Sequence, residues 1–222
     1  MFTLYIANKN YSSWSLRAWV LMRELGIPFE EKLFPLGDAA VKEFSPSGRV
    51  PCLVDGGATV WDSLAIAEYL AEQFPKVWPA DAVARAWARS AAAEMHSGFM
   101  DLRSTCSMNC GIRVRIGNFP AGVLADVGRL DELWNDGFDR FGGPFLAGTA
   151  FTAVDAFYAP VAFRIQSYGP KMSARSLEYV NRLVALPSMK EWYAAALAEP
   201  WRNADYEKAI HQVGTLVADY RG

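Results

Sequence analysis

The first 75 residues change their hydrophobic period every few positions. Phe2–Ala7 is apolar and rich in aromatic and β-branched side chains, which predicts a buried strand. Trp14, Ala18, Leu21, Met22 and Leu25 recur at helical spacing over 13–25, and Gly26 and Pro28 stop that helix. Phe29–Phe34, apolar at both ends around a charged centre, predicts a second strand, and 38–45 a short polar helix. Residues 52–54 and 59–61 predict two short strands joined by the turn residues Asp55, Gly56 and Gly57. Residues 63–74 predict a helix with Ile66, Tyr69, Leu70 and Phe74 facing inward. Two strands joined through a helix form a right-handed parallel unit, and two joined by a tight turn pair antiparallel. The expectation is a small mixed sheet backed by helices.

Beyond that point the strand pattern ends. Residues 75–79 read as a linker. Ala84, Trp87, Ala88, Ala91, Met95, Phe99 and Leu102 then keep helical spacing, as do Val127, Leu130, Trp134, Phe138 and Phe141. The stripe Val154, Phe157, Tyr158, Val161, Ala162 and Ile165 predicts a third long helix, and further helices are expected over 176–184, 187–198 and 204–219. Segments 104–118 and 141–154 read as loops. The chain is therefore read as α/β followed by all-α: a sheet domain over 1–77 and a helical bundle over 84–222.

Composition narrows the function more than the fold. Hydrophobic residues make up 52% of the 222, enough for a sizeable core. A net charge of −2 provides no field for nucleic acid or an anionic membrane. No apolar run reaches the roughly 18 residues of a membrane span. The N-terminus lacks a basic region and a cleavage site, and three cysteines cannot all pair. Both observations point to the reducing cytosol. With two histidines and scattered cysteines, no metal site is expected.

Four local patterns sit in one order along the chain. Tyr11-Ser12-Ser13-Trp14-Ser15-Leu16-Arg17 opens the first helix; Gly48-Arg49-Val50-Pro51 precedes the third strand; Asp62-Ser63 opens the last helix of the sheet domain; Thr152 to Asp155 opens a bundle helix as a capping-box pair with a structural role. In this order and spacing the series resembles the cytosolic glutathione transferase superfamily over essentially the whole chain. The serine-rich helix start is most similar to the zeta class and related bacterial serine-type enzymes. Trp14 stands where the zeta pattern has cysteine, and Arg49 where it usually has glutamine.

The resemblance implies a thioredoxin-like domain with a mixed four-stranded sheet, a helical domain carrying the electrophile pocket, and a homodimer. It implies glutathione as cosubstrate, and attack of its thiolate on a small electrophile. A free thiol has a pKa near 8.5; lowering it by about 2 units takes about 2.7 kcal/mol. A hydroxyl donating to sulfur beside helix-terminal amides supplies that kind of stabilisation. Ser12 aligns with the zeta catalytic serine, with Ser13 and Ser15 as alternatives; each also reads as a plain cap for free N–H groups. Arg17 is a candidate for steadying an anion, and Arg49 for contacting glutathione. Val50-Pro51 is expected to be cis, its backbone pairing with the tripeptide like an added strand. Ser63, with Asp62, is expected to hold the γ-glutamyl end at a helix N-terminus. His96, Arg103, Asn109, Arg113 and Arg115 are candidate liners of the electrophile pocket. Alternative functions are a glutathione-dependent isomerase of the maleylacetoacetate type, a glutathione peroxidase or thiol transferase, and a non-catalytic binding protein of the same fold.

Overall fold

The computed structural model describes residues 1–222. Strand β1 (Phe2–Ala7), helix α1 (Ser13–Glu24) and strand β2 (Phe29–Phe34) form the parallel unit. A short helix α2 (Val41–Phe44) leads to the antiparallel pair β3 (Cys52–Asp55) and β4 (Ala58–Trp61), then helix α3 (Ser63–Ala71). The sheet order is β2-β1-β3-β4, with β1 antiparallel to β3 in the register Leu4↔Leu53. Strand alternation explains the layers. Phe2, Leu4 and Ile6 turn into the core, while Tyr5 on the opposite face stacks on Phe44 at 4.0 Å. The expected four-stranded mixed sheet is present.

The helical half contains α4 (Ala82–Ser97), α5 (Met100–Thr105), α6 (Ala121–Phe141), α7 (Ala153–Tyr168), α8 (Ala174–Ala185), α9 (Pro187–Ala198) and α10 (Ala204–Val213). Helix α7 is the central rod, buried along nearly its whole length, and packs against α1, α4 and α8. Its start is fixed by Asp155, fully buried, which accepts from the Leu146 and Thr152 amides and the Tyr179 hydroxyl. Trp134 of α6 meets Tyr158 and Tyr179 edge-on, closing the centre of the bundle.

Two expectations need correction. The stripe from Ala84 to Leu102 is not one helix: the chain breaks at Gly98 and Phe99, where Phe99 takes φ 57° so that its ring enters the core. Arg103 donates to the carbonyls of His96 and Gly98, satisfying acceptors freed by the break. The last segment is not helical through 219 either. It leaves α10 at Gly214 and forms β6 (Thr215–Asp219), paired antiparallel with β5 (Ile112–Arg115) inside the segment read as a loop. Both stretches are short and rich in β-branched or alternating residues, and each satisfies the other's backbone.

The turn joining β1 to α1 is buried, although turns normally run in water. Its donors are met from the far end of the chain. Glu199, just beyond α9, accepts from the Lys9 amide at 2.5 Å, the Asn10 amide at 3.2 Å and Asn8 Nδ2 at 3.3 Å. Trp192 Nε1 donates to the Lys9 carbonyl, and Asn10 Nδ2 to Asn109 Oδ1. Removing an acceptor from buried donors leaves them uncompensated. Glu199→Ala is therefore expected to cost about 3 kcal/mol and to lower the melting temperature by about 10 °C. Glu199→Gln, which keeps one acceptor, should lose less; thermal unfolding of the three proteins checks the order.

Candidate functional site

A groove runs between the sheet domain and the helical domain, in two lobes that share Trp14, Arg49 and Val50. The larger, ≈ 610 Å³, is lined by the start of α1, residues 35–42, Met100, Arg103, Arg164 and Tyr206. The smaller, ≈ 520 Å³, is lined by Pro51, Trp61, Asp62 and Ser63.

Ser12 is the N-cap of α1 because its Oγ accepts from the Ser15 amide at 3.4 Å; its hydroxyl donates to Ser15 Oγ at 2.8 Å. Ser12 and Ser13 both line the larger lobe. Ser15 lies behind them, fully buried, accepting from the Ala7 amide. Ser13 Oγ accepts from Arg164 Nη2 at 3.2 Å, which leaves its own O–H free to donate. Two hydroxyls thus sit at the positive end of a twelve-residue helix.

Across the groove the Val50–Pro51 bond is cis. Asp62 is the N-cap of α3 with φ 74°, uncommon for a residue with a Cβ. Its carboxylate accepts from the Leu64 amide at 2.8 Å and meets His96 Nε2 at 2.8 and 2.9 Å. The next residue, Ser63, is 1% exposed, and its Oγ has no hydrogen-bond partner. An orphaned buried hydroxyl at a helix N-terminus fits an anionic ligand group.

Three guanidinium groups gather behind the serines. Two guanidiniums lie over the Trp14 ring, Arg17 at 4.3 Å from its centroid and Arg103 at 4.6 Å, with His96 edge-on at 5.2 Å. Arg17 is 2% exposed and donates to the Met95 carbonyl. Burial first, then the charges of Arg103 and Arg164, push its pKa down to about 9. Arg164 is 4% exposed and reaches the Cys106 carbonyl and Ser13; burial pushes it down to about 10. None of the three has a carboxylate within salt-bridge distance.

Of the residues singled out in the sequence, Ser12, Ser13, Arg49, Val50, Pro51, Asp62, Ser63 and Arg103 line the groove. Arg17 and Ser15 support its wall from inside. His96 belongs to Asp62 rather than to the larger lobe. Asn109 is buried between Asn10 and Glu207, and Arg113 of β5 donates to the Cys110 and Ile112 carbonyls; neither lines the groove. Arg115 is exposed on the same strand.

Sequence reading missed Lys42, Arg164 and Tyr206, and quoted Tyr11 in the first motif without giving it a role. Arg164 had a signal, as the one charged residue inside the apolar stripe of α7 after Asp155. Tyr206 had none: its ring meets that of Tyr11 at 5.0 Å, where Tyr11 donates to Glu207, which Arg221 also binds. Burial and that carboxylate raise the Tyr11 phenol to about 12, so it stays a neutral donor. No group of three or more His, Cys, Asp or Glu side chains gathers in metal-ligand geometry, and no helix is long and apolar enough to cross a membrane.

Comparison with known proteins gives a consistent frame. The family model for the glutathione S-transferase N-terminal domain matches residues 11–73, and that for the C-terminal domain matches 80–195. A 59-residue stretch is 41% identical to dichloromethane dehalogenase of Methylorubrum extorquens, covering 24% of this chain and 20% of that protein. A stretch of 105 residues is 30% identical to a probable maleylacetoacetate isomerase of Caenorhabditis elegans, covering 46% of this chain and 49% of that one. These matches thus span a fifth and about half of the two curated relatives. Among solved structures, a glutathione transferase homologue from Burkholderia gl BGR1, with bound glutathione, superposes with a TM-score of 0.67 at 27% identity, over 88% of this chain and 97% of that one.

The Asp62–His96 contact ties the sheet domain to α4. Because the pair is partly exposed, a double-mutant cycle with Asp62→Asn and His96→Gln should give a coupling of about 0.5–1 kcal/mol that weakens in salt. Additive effects would mean the two side chains do not meet in solution.

Proposed function

The chain belongs to the glutathione S-transferase family, and from that premise we propose that it binds glutathione along the two-lobed groove and activates its thiol at the start of α1. One observation carries the reading. The orphaned Ser63 hydroxyl in the smaller lobe and the two serine hydroxyls in the larger lobe lie along one groove.

In this reading the γ-glutamyl carboxylate accepts from Ser63 Oγ and the first-turn amides of α3. Asp62 retains lone pairs beyond those used by Leu64 and His96, and takes the γ-glutamyl ammonium. The backbone of Val50 pairs with the cysteinyl unit, and Lys42 and Arg49 face the glycine carboxylate. Sulfur then lies against Ser12 and Ser13. Ser12 turns its O–H from Ser15 Oγ to sulfur, and Ser13 donates the O–H that Arg164 leaves free. The hydroxyls and the helix dipole favour the thiolate over the thiol. The thiolate forms a bond to the electrophilic carbon, and the leaving group departs with its electron pair. Arg17 acts indirectly, by stacking on Trp14 and supporting the floor of the groove.

Ultraviolet difference titration of bound glutathione tests this. The thiolate band should appear with a midpoint about 2 units below the free-thiol value of about 8.5. Ser12→Ala should raise that midpoint by about 1 unit, a loss of about 1.4 kcal/mol. If only Ser13→Ala raises it, the donor is Ser13; if neither does, the serine reading fails. Ser63→Ala should weaken glutathione binding about tenfold. No affinity at millimolar glutathione would remove the proposal altogether.

A further inference from the structure

Glutathione does not account for every charge in the groove. Lys42 and Arg49 stand on the sheet-domain wall, and Ser63 closes the other lobe. On the opposite wall α5 and α7 bring Arg103 and Arg164 to the larger lobe, flanking the serines. The only carboxylate lining that lobe is Asp38, on the sheet-domain side. Arg164 is buried yet has no acidic partner: its Nη atoms reach a carbonyl and a hydroxyl, and its Nε reaches nothing. Arg103 is half-buried against Trp14, with only neutral acceptors. A buried guanidinium is normally paired, and a planar fork of N–H donors matches a carboxylate. The apolar surfaces beside these cations, Trp14, Met100 and Tyr206, suit a small carbon skeleton.

Building on the transferase reading, we propose that the helical-domain wall is a carboxylate subsite, where Arg164 and Arg103 bind an anionic group carried by the electrophile. The preferred second substrate is then a small electrophilic acid rather than a neutral apolar compound. Its carboxylate anchors on α5 and α7, and its reactive carbon faces the sulfur at α1.

A matched pair of aryl chlorides tests this: 4-chloro-3-nitrobenzoate and 4-chloro-3-nitrobenzamide. In both, the glutathione sulfur forms a bond to the ring carbon and chloride leaves with the bonding electrons. Dividing each kcat/KM by the uncatalysed rate with glutathione removes the difference in intrinsic reactivity. The acid should then be preferred by about tenfold or more. Arg103→Gln should cut that ratio towards one, mainly through KM for the acid; Arg164→Gln should cut the ratio as well, on top of a loss shared by both probes because Arg164 also holds Ser13. Arg103 is the safer substitution, since Arg164 also holds the Cys106 carbonyl and Ser13.

A wild-type ratio at or below one overturns the proposal. So does an equal loss on both probes in Arg103→Gln together with a raised thiolate midpoint, which would mean that Arg103 serves the sulfur. Calorimetric titration with each probe in the absence of glutathione is independent of the transferase reading. Tighter binding of the acid supports the subsite even if glutathione fails to bind; equal binding of the two overturns it even if glutathione binds well.

Discussion

The carboxylate of Glu199 is the contact on which the site depends. It lies almost two hundred residues from the turn it organises, and takes three donors from Asn8, Lys9 and Asn10. Without it the buried turn between β1 and α1 would hold unsatisfied amides in a dry interface. With it, the first residues of α1 are fixed relative to the helical domain. Trp192 and Asn109 bind the same turn, so α9 and the 106–111 segment grip it from two sides. The serines inherit that rigidity, since Ser12 follows directly and caps the helix. A hydroxyl meant to favour one charge state of a ligand must be aimed before the ligand arrives, and this clamp aims it.

The second constraint is electrostatic. Burial holds the pKa values of Arg17, Arg103 and Arg164 below the ordinary guanidinium range, and the charges of neighbouring guanidiniums lower Arg17 and Arg164 further. Such an arrangement costs stability unless something anionic offsets it. Part of the offset is internal: Trp14 and Phe157 present ring faces to Arg17, and backbone carbonyls accept from all three. The remainder fits a groove whose ligands carry negative charge. Trp14 is therefore more than a filler. It lies under two cations, lines both lobes and meets His96, through which the floor is joined to Asp62 in the smaller lobe.

Much of this was legible along the chain. The strand-helix-strand unit, the hairpin after Pro51 and the stripe of α7 follow from hydrophobic period, and their ends from Gly26, Asp62 and the Thr152–Asp155 pair. Helix starts carry their own polar signature, so Ser12 and Ser63 were visible as places where a ligand or a cap was needed. The break at Gly98 and Phe99 was not visible, because Phe99 keeps the apolar spacing while its backbone turns left-handed. Strand β6 was not visible either, because its partner β5 lies about a hundred residues away and pairing is what makes either stretch a strand.

The sequence by itself determined what neighbouring residues can determine: the order of elements, the ends of the helices and the chemistry available at each end. These depend on backbone hydrogen bonds and side-chain period within a few positions. Only the tertiary structure decided which polar groups face the groove. It sent Arg17 over Trp14 and brought Arg164 to Ser13, 151 residues away. It gave His96 to Asp62 and turned Asn109 towards Asn10. The reason is that a charged side chain's role is set by its partners and by the water it loses, and both are supplied by residues distant in the chain.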